Sequence, residues 1–301
     1  MNVEELVALI KQKPYLRKMG KGLISKRYHI SPEDVVKAKN LASIGKYTPK
    51  ILLFDIETAP IKAYIWKLWK ENIHIGQIIN DWFCIAWSAK WLYNTETMGE
   101  VLTPEEILHE DDSRIMKSLW NLINEADIVV SHNGNKFDIP RINARFIINN
   151  LEPTKPFFSI DTCQVARKQF GFSSNKLDAL ATYFHIDHKL HTDFNLWKEC
   201  LNGSEEALQY MLHYNKKDVV ILEEVYLKLR PWIKNHPNLG NLQDQHMVCS
   251  ACGSDNLNLL KDKYYFTSVG KYHMYKCKDC GALSRGRKNI SNDTNLTSPA
   301  R

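Results

Sequence analysis

The sequence predicts an α/β domain built on a mixed sheet flanked by helices, with a small all-helical unit before it and a small β unit after it. Three observations carry this prediction. Residues 50–235 alternate short apolar runs with amphipathic stretches, as strands and helices do when they take turns. Residues 1–48 show only helical periodicity with short joints. Residues 247–288 are poor in core-forming side chains and hold four of the seven cysteines in two close pairs. A Pro/Asn/Gly-rich linker over 236–246 and a polar tail over 289–301 complete the division.

Composition narrows the class. At 301 residues, 44% hydrophobic and 25% charged, the chain can bury a core and is not of the disordered type. No run approaches the roughly 18 apolar residues of a membrane span, and Met1–Glu5 does not open a signal peptide. An odd number of cysteines argues for a reducing compartment and for metal rather than a disulfide framework. Residues 1–50 carry 11 Lys/Arg against 4 Asp/Glu and residues 231–301 carry 10 against 5, whereas residues 51–230 carry 19 against 25. Basic ends suit a polyanion and an acidic middle suits cations, with solvated surface charge as the plainer alternative.

In chain order, helices are expected over Val3–Lys13, Gly22–Tyr28 and Ser31–Asn40, the last capped by Ser31 with Pro32 at its first position. Leu23, Ile24, Ile30, Val35, Val36 and Ala38 supply a small core. The pattern resembles a helix-turn-helix, with Lys26, Arg27, Lys37 and Lys39 placed for phosphates. Glu33 and Asp34 occupy the start of the last helix, where base readers would stand, so contact without sequence reading, or a docking role, is the alternative.

Lys50–Thr58 reads as a buried central strand closed by Ala59 and Pro60. Alternation puts Asp55 and Glu57 on one face and Ile56 on the other. Two carboxylates about 7 Å apart at a buried strand end repel each other. A divalent cation relieves that, and a strand emerging into solvent is the alternative. Next, Asp127–Val130 is a strand running into the polar loop His132–Lys136, with a helix over Arg141–Ile148, which puts Asp138 near a strand-to-helix junction. Asn133 and Asn135 can hydrogen-bond phosphate or sugar, or simply shape an Asx turn. Finally, Ser204–Glu223 is a long helix on which Tyr214 and Asp218, at i and i+4, share a face.

The order Phe54-Asp55-Ile56-Glu57-Thr58, His132-Asn133-Gly134 with Phe137-Asp138, and Tyr214-Asn215-Lys216-Lys217-Asp218 resembles the DEDD exonucleases of the ribonuclease H-like fold. The tyrosine branch fits best, similar to family B DNA polymerase proofreading domains and to stand-alone phage exonucleases. Ile160-Asp161-Thr162 and Ser174–Leu180 resemble its connecting segments. The resemblance covers residues 50–235 and implies a 3′→5′ exonuclease that releases 5′-mononucleotides with two Mg²⁺ or Mn²⁺ ions. In that reading Asp55 bridges both ions, Glu57 and Asp218 complete one, and Asp138 holds the other, partly through water. Tyr214 handles the attacking water, with His213, five residues before Asp218 at the spacing of the histidine branch, as the alternative. Asn133, Asn135 and Phe137 touch substrate, with Lys26, Arg27 and Lys37 as flanking contacts. DNA is the favoured substrate and RNA the alternative. A non-catalytic DNA-binding regulator is the rival class, and replication or recombination proteins are the expected partners. The implied setting is the cytoplasm of a bacterium or phage-infected cell.

Cys249-x-x-Cys252-Gly253 and Cys277-x-x-Cys280-Gly281 offer four thiolates at zinc-ligand spacing, with hairpin strands expected between them over Lys263–Phe266 and Tyr272–Lys276. The segment resembles a zinc ribbon with one structural Zn²⁺. Lys261, Lys263, Lys271, Tyr272, Lys276, Arg285, Arg287 and Lys288 suit nucleic acid, with protein binding as the alternative. His185, His188 and His191 read as surface histidines. Trp66, Trp69, Trp82, Trp87 and Trp91 are expected to pack the sheet and its edge, with one stacking on a terminal base as the alternative. Cys84, Cys163 and Cys200 read as ordinary buried or half-buried thiols.

Overall fold

The computed structural model describes residues 1–13, 15–16, 19–42, 49–186, 192–242 and 247–291, and His188 and His191 lie outside them. The chain begins with α1 (Val3–Gln12). Asn2 and Glu5 cap its start reciprocally, each side chain accepting from the other's backbone N–H. Helices α2 (Lys21–Tyr28) and α3 (Pro32–Ala42) follow, and the Ser31 hydroxyl accepts from Asp34 N–H at 3.0 Å as the cap of α3. Leu6, Ile10, Ile24, Ile30, Val35 and Ala38 form the apolar centre of these helices. Leu23 does not join it: the side chain is 63% exposed, because the Ile24 side of α2 is the one that turns inward.

The sheet unit spans Lys50–Lys228. Its strands are β1 (Ile51–Thr58), a short arm pair β2 (Lys62–Ala63) and β3 (Ile78–Asn80), then β4 (Cys84–Trp91) and β5 (Met98–Val101). Helices α4 (Pro104–His109) and α5 (Ser113–Glu125) lead to β6 (Ile128–Ser131), α6 (Asp138–Ile148) and β7 (Phe158–Asp161). Then come α7 (Thr162–Gln169), α8 (Leu177–Tyr183), α9 (Phe194–Leu201) and the long α10 (Glu205–Leu229). The five-stranded order is β5-β4-β1-β6-β7. β1 lies at its centre, antiparallel to β4 and parallel to β6. Its near-continuous apolar run follows from burial on both faces: Ile51, Leu52, Leu53, Phe54 and Ile56 are all buried.

Two polar ties fix the site-bearing helices to this sheet. The Asp112 carboxylate, fully buried, accepts from Arg145 Nε at 2.6 Å and Nη2 at 2.7 Å, from Asn149 Nδ2 at 2.8 Å and from Cys84 N–H at 2.9 Å. It thereby joins α6 to β4. Glu223 on α10 accepts from Lys90 of β4 and, at 2.8 Å, from Tyr93 N–H.

The second unit combines Met1–Pro49 with Leu229–Arg301. The segment expected as a linker carries α11 (Leu239–Leu242), with Leu239 buried and its N–H donating to Ser250 O at 2.9 Å. The hairpin β8 (Leu257–Thr267) and β9 (Gly270–Cys277), with β10 (Leu283–Arg285), makes a three-stranded antiparallel sheet. Lys39 is withdrawn from the phosphate-facing set. It is buried and pairs with Asp279 at 3.0 Å, while also donating to Met19 O at 2.6 Å. Among the described residues, no helix is long and apolar enough to cross a membrane.

Candidate metal centre

The site grows from the end of β1. The pleat sends Asp55 and Glu57 to one face, and the ladder to β4 is irregular between Glu57 and Thr58, where a bulge re-aims the strand end. α10 lays Asp218 against that face. Asp55, Glu57 and Asp218 each offer a carboxylate oxygen, all within 4.8 Å of one another. Three hard anionic donors at that separation fit a single divalent cation such as Mg²⁺ or Mn²⁺. Asp138 stands apart from the trio but lines the same open cleft, of about 720 Å³, with Asp55, Glu57 and Asp218.

Helix α6 starts three residues before its expected beginning, so Asp138 is its first residue. Its Oδ1 accepts from Ile56 N–H at 3.3 Å. Burial, first, and the charge of Asp161, second, push its carboxyl up to about 7, against the backbone N–H of Ile56. A carboxyl so placed favours a proton, or a cation that replaces it.

The loop between β6 and α6 is held from β7. Asp161 accepts from Asn133 N–H at 3.0 Å, Asn135 N–H at 3.3 Å and Gln164 N–H at 3.0 Å. His132 bonds Thr162 Oγ1 at 2.8 Å and Asn175 O at 2.9 Å. Gly134 is obligatory here, because a Cβ would lie 1.9 Å from Ser131 Oγ. His132, Asn133 and Phe137 reach the cleft wall. Asn135 does not: its side chain bonds Ser159 Oγ instead, drawn towards β7 by the same loop geometry.

Helix α10 runs unbroken through residues 213–218. His213 is therefore about 140° from Asp218 around the axis and is exposed, whereas Tyr214 is about 40° away. Tyr214 is 6% exposed and belongs to the apolar core, outside the cleft wall. On the other side of Asp218, Asn215 is fully buried and donates to Asp55 Oδ2 at 2.7 Å. The sequence reading missed that role, although the i, i+3 spacing from Asp218 marks it. It also missed Arg167 and, as a cation, Lys176, both of which line the cleft.

The four cysteines converge separately. Cys249, Cys252, Cys277 and Cys280 lie within 4.8 Å of one another, with Cys249–Cys280 at 3.6 Å and Cys252–Cys277 at 3.7 Å. A tetrahedron of sulfurs about 2.3 Å from zinc has edges of about 3.8 Å. Gly253 and Gly281, at φ 72° and 83°, let each knuckle fold back so that their N–H groups bond Cys249 O and Cys277 O. The cluster fits a small zinc-binding unit. Lys26 and Arg27 are exposed and Lys37 is half-buried on the helical part of the same unit.

One other expectation needs correction. Trp87 is buried and Trp91 packs against the core, but Trp66 and Trp69 are 93% and 81% exposed, because the segment that carries them leaves the sheet after β1. Cys84, Cys163 and Cys200 are buried, and His185 is exposed.

Residues 92–230 match the family described as the RNase_H superfamily. The chain is also similar to the DNA polymerase III PolC-type of Ureaplasma parvum serovar 3, with 23% identity over 250 residues. That alignment covers 74% of this chain and 15% of the polymerase, so the chain spans a small part of that relative. The five-stranded mixed sheet flanked by helices is consistent with the ribonuclease H-like fold of that family. Asp138 and Asp218 fall within the matched residues, while Asp55 and Glu57 precede them.

Proposed function

We propose that the protein is a metal-dependent 3′→5′ exonuclease that releases 5′-mononucleotides from nucleic acid, with DNA the favoured substrate. The observation that carries this reading is the convergence of Asp55, Glu57 and Asp218 within 4.8 Å at a cleft that also contains Asp138. Asp55, Glu57 and Asp218 would hold one Mg²⁺ or Mn²⁺, and Asp138 with Asp55 a second. Such a pair neutralises the phosphate, activates water and stabilises the leaving oxygen. Asn215 fixes the Asp55 carboxylate through its 2.7 Å hydrogen bond to Oδ2. Asn133 and Phe137 orient the terminal nucleotide, and Arg167 and Lys176 offset phosphate charge in a unit that is otherwise acidic. Tyr214, nearest Asp218 around α10, is assigned to the attacking water despite its burial. The four cysteines hold one structural Zn²⁺, and Lys26, Arg27 and Lys37 give the basic unit its phosphate contacts.

Labelled DNA and RNA oligonucleotides, incubated with Mg²⁺ or Mn²⁺ and sized over time, test the reading. A 5′-labelled strand should shorten one nucleotide at a time, while a 3′ label leaves at once as a mononucleotide. Asp55→Ala should abolish both while keeping the fold. Equal hydrolysis by Asp55→Ala, or early loss of the 5′ label, would overturn the assignment.

A further inference from the structure

Between β1 and β4 the chain leaves the sheet for some twenty residues. This arm is closed at its root by β2 and β3, paired Lys62 with Asn80 and Ala63 with Ile78. Its tip is a built turn. The Glu71 carboxylate accepts from Trp66 N–H at 3.0 Å and Lys67 N–H at 2.9 Å, and Gln77 bridges Glu71 to Tyr64 O. Tyr64 N–H returns to Gln77 O at 2.9 Å. On this frame Tyr64, Trp66 and Trp69 stand 74%, 93% and 81% exposed. Aromatic side chains of that size are rarely left in water without a partner.

Charge indicates which partner. Lys62, Lys67 and Lys70 alternate with the three aromatics and are exposed. Glu71 is the only acid between residues 61 and 80, its carboxylate is turned onto backbone N–H groups of the turn, and the segment keeps a net charge of +2. The surrounding unit is net acidic, so the arm is a local reversal of sign. A protein groove would accept the same apolar area, but three interleaved lysines favour a phosphate backbone whose bases stack on the rings. The arm also connects to the cleft. Phe137 of the cleft wall lies 4.2 Å below the Arg141 guanidinium, which lies 4.5 Å over the Trp82 ring. Arg141, Trp82, Thr58, Pro60 and Ile61 then line a second open cleft of about 530 Å³ at the root of the arm.

We infer that residues 61–79 form a single-strand-binding arm on which the polynucleotide trailing from the cleft stacks through Tyr64, Trp66 and Trp69 and is neutralised by Lys62, Lys67 and Lys70. The inference rests on the reading of the cleft as a nuclease site. The arm would set how tightly a long strand is held and hence how many nucleotides leave per encounter.

Anisotropy titration of the full-length protein with labelled oligo(dT) tests it. The buffer has no added Mg²⁺ or Mn²⁺ and no chelator, so that nothing is cut and the cysteine cluster is undisturbed. Strands of about 5 and about 25 nucleotides separate cleft from arm. Trp66→Ala/Trp69→Ala should weaken the long strand about 10- to 100-fold and the short one far less. Lys62→Ala/Lys67→Ala/Lys70→Ala should lower the log–log salt slope by about 2. Unchanged long-strand affinity in both variants would overturn the arm. So would self-association of the wild type that the Trp variant loses while keeping its affinity for DNA. The same strands with Mg²⁺ test the cleft independently. Binding through the arm without cutting would sink the nuclease reading alone, and cutting with an indifferent arm would sink this inference alone.

Discussion

Asp138 sets burial against function. Its carboxyl is raised from an ordinary value near 3.8 to about 7, chiefly by burial. A carboxyl raised in the folded state binds its proton more tightly there than in the unfolded chain. Its contribution to stability is thus greatest below about pH 4 and is lost as pH rises through about 7. The metal-free protein should therefore lose up to about 4 kcal/mol from this group between pH 4 and pH 8, and Asp138→Asn should recover much of it. Urea midpoints in EDTA at both pH values check this, and an identical pH trend in Asp138→Asn would refute it. Mn²⁺ at pH 8 should stabilise the wild type by more than it stabilises Asp138→Asn, since only the carboxylate can exchange proton for metal. Tyr214 gives a second residue-scale prediction. Tyr214→Phe should slow nucleotide release by roughly 10²–10⁴-fold or somewhat less, while His213→Ala stays within a few-fold. The opposite ranking, with a pH profile that breaks near the histidine range only when His213 is present, would reassign the water-handling residue. The carboxylates were legible because period-two alternation and the Asp-x-Glu spacing fix their face without tertiary information. Asn215 and Arg167 were not, since their roles depend on which neighbours α10 and α7 meet.

Elements matter here through the ties that aim them. α6 carries Asp138 on its first residue, and its angle to the sheet is held by Arg145 and Asn149 on buried Asp112. Asp112→Ala removes the acceptor and leaves a mostly buried guanidinium and the Cys84 N–H unpaired. The expected cost is about 3–5 kcal/mol, which thermal melts would register, and a loss under about 1 kcal/mol would show that water reaches Arg145. Gly134 acts on the same helix from its other side. Gly134→Ala collides with Ser131 and should displace the Asn133–Phe137 wall, and Ser131→Gly in the same protein should rescue it by removing the clashing hydroxymethyl group. Helix and strand existence was largely legible, since β1, α3 and α10 carry strong periodicity and caps. The arm after β1 was not: its tryptophans look like sheet packing in a linear reading. Only the Glu71-capped turn, a contact between residues five apart, shows that they point away.

At the scale of the molecule, the two basic ends of the chain gather into one unit with 21 Lys/Arg against 9 Asp/Glu, a net +12, whereas residues 50–228 carry −6. The sequence separated these ends into two modules, because nothing local reports that residue 39 meets residue 279. In the structure Lys39 and Asp279 are both buried, and Asp279 also accepts from Asn256 Nδ2 at 3.0 Å and Ser254 Oγ at 2.6 Å. Asp279 lies between Cys277 and Cys280, so the knuckle proposed to hold a metal also holds α3. Deleting residues 1–48 would strand that carboxylate, which makes truncation a poor probe of phosphate contacts. Lys26→Ala/Arg27→Ala is the cleaner test, with a salt slope reduced by about 1–2 if those side chains touch phosphate. The coupling gives a sharper expectation. A structural metal contributes its binding free energy to folding. Stripping it with a strong chelator, or Cys280→Ser, should therefore unfold α1–α3 together with β8–β10 in one transition, while residues 50–228 keep their own melt. Hydrogen exchange read by mass spectrometry follows both. Loss of protection confined to residues 247–288, with α1 and α3 still protected after metal removal, would mean that the buried Lys39–Asp279 pair does not couple them. Simultaneous loss in both, and its reversal on adding Zn²⁺, would make the metal the keystone of a single basic unit drawn from both ends of the chain.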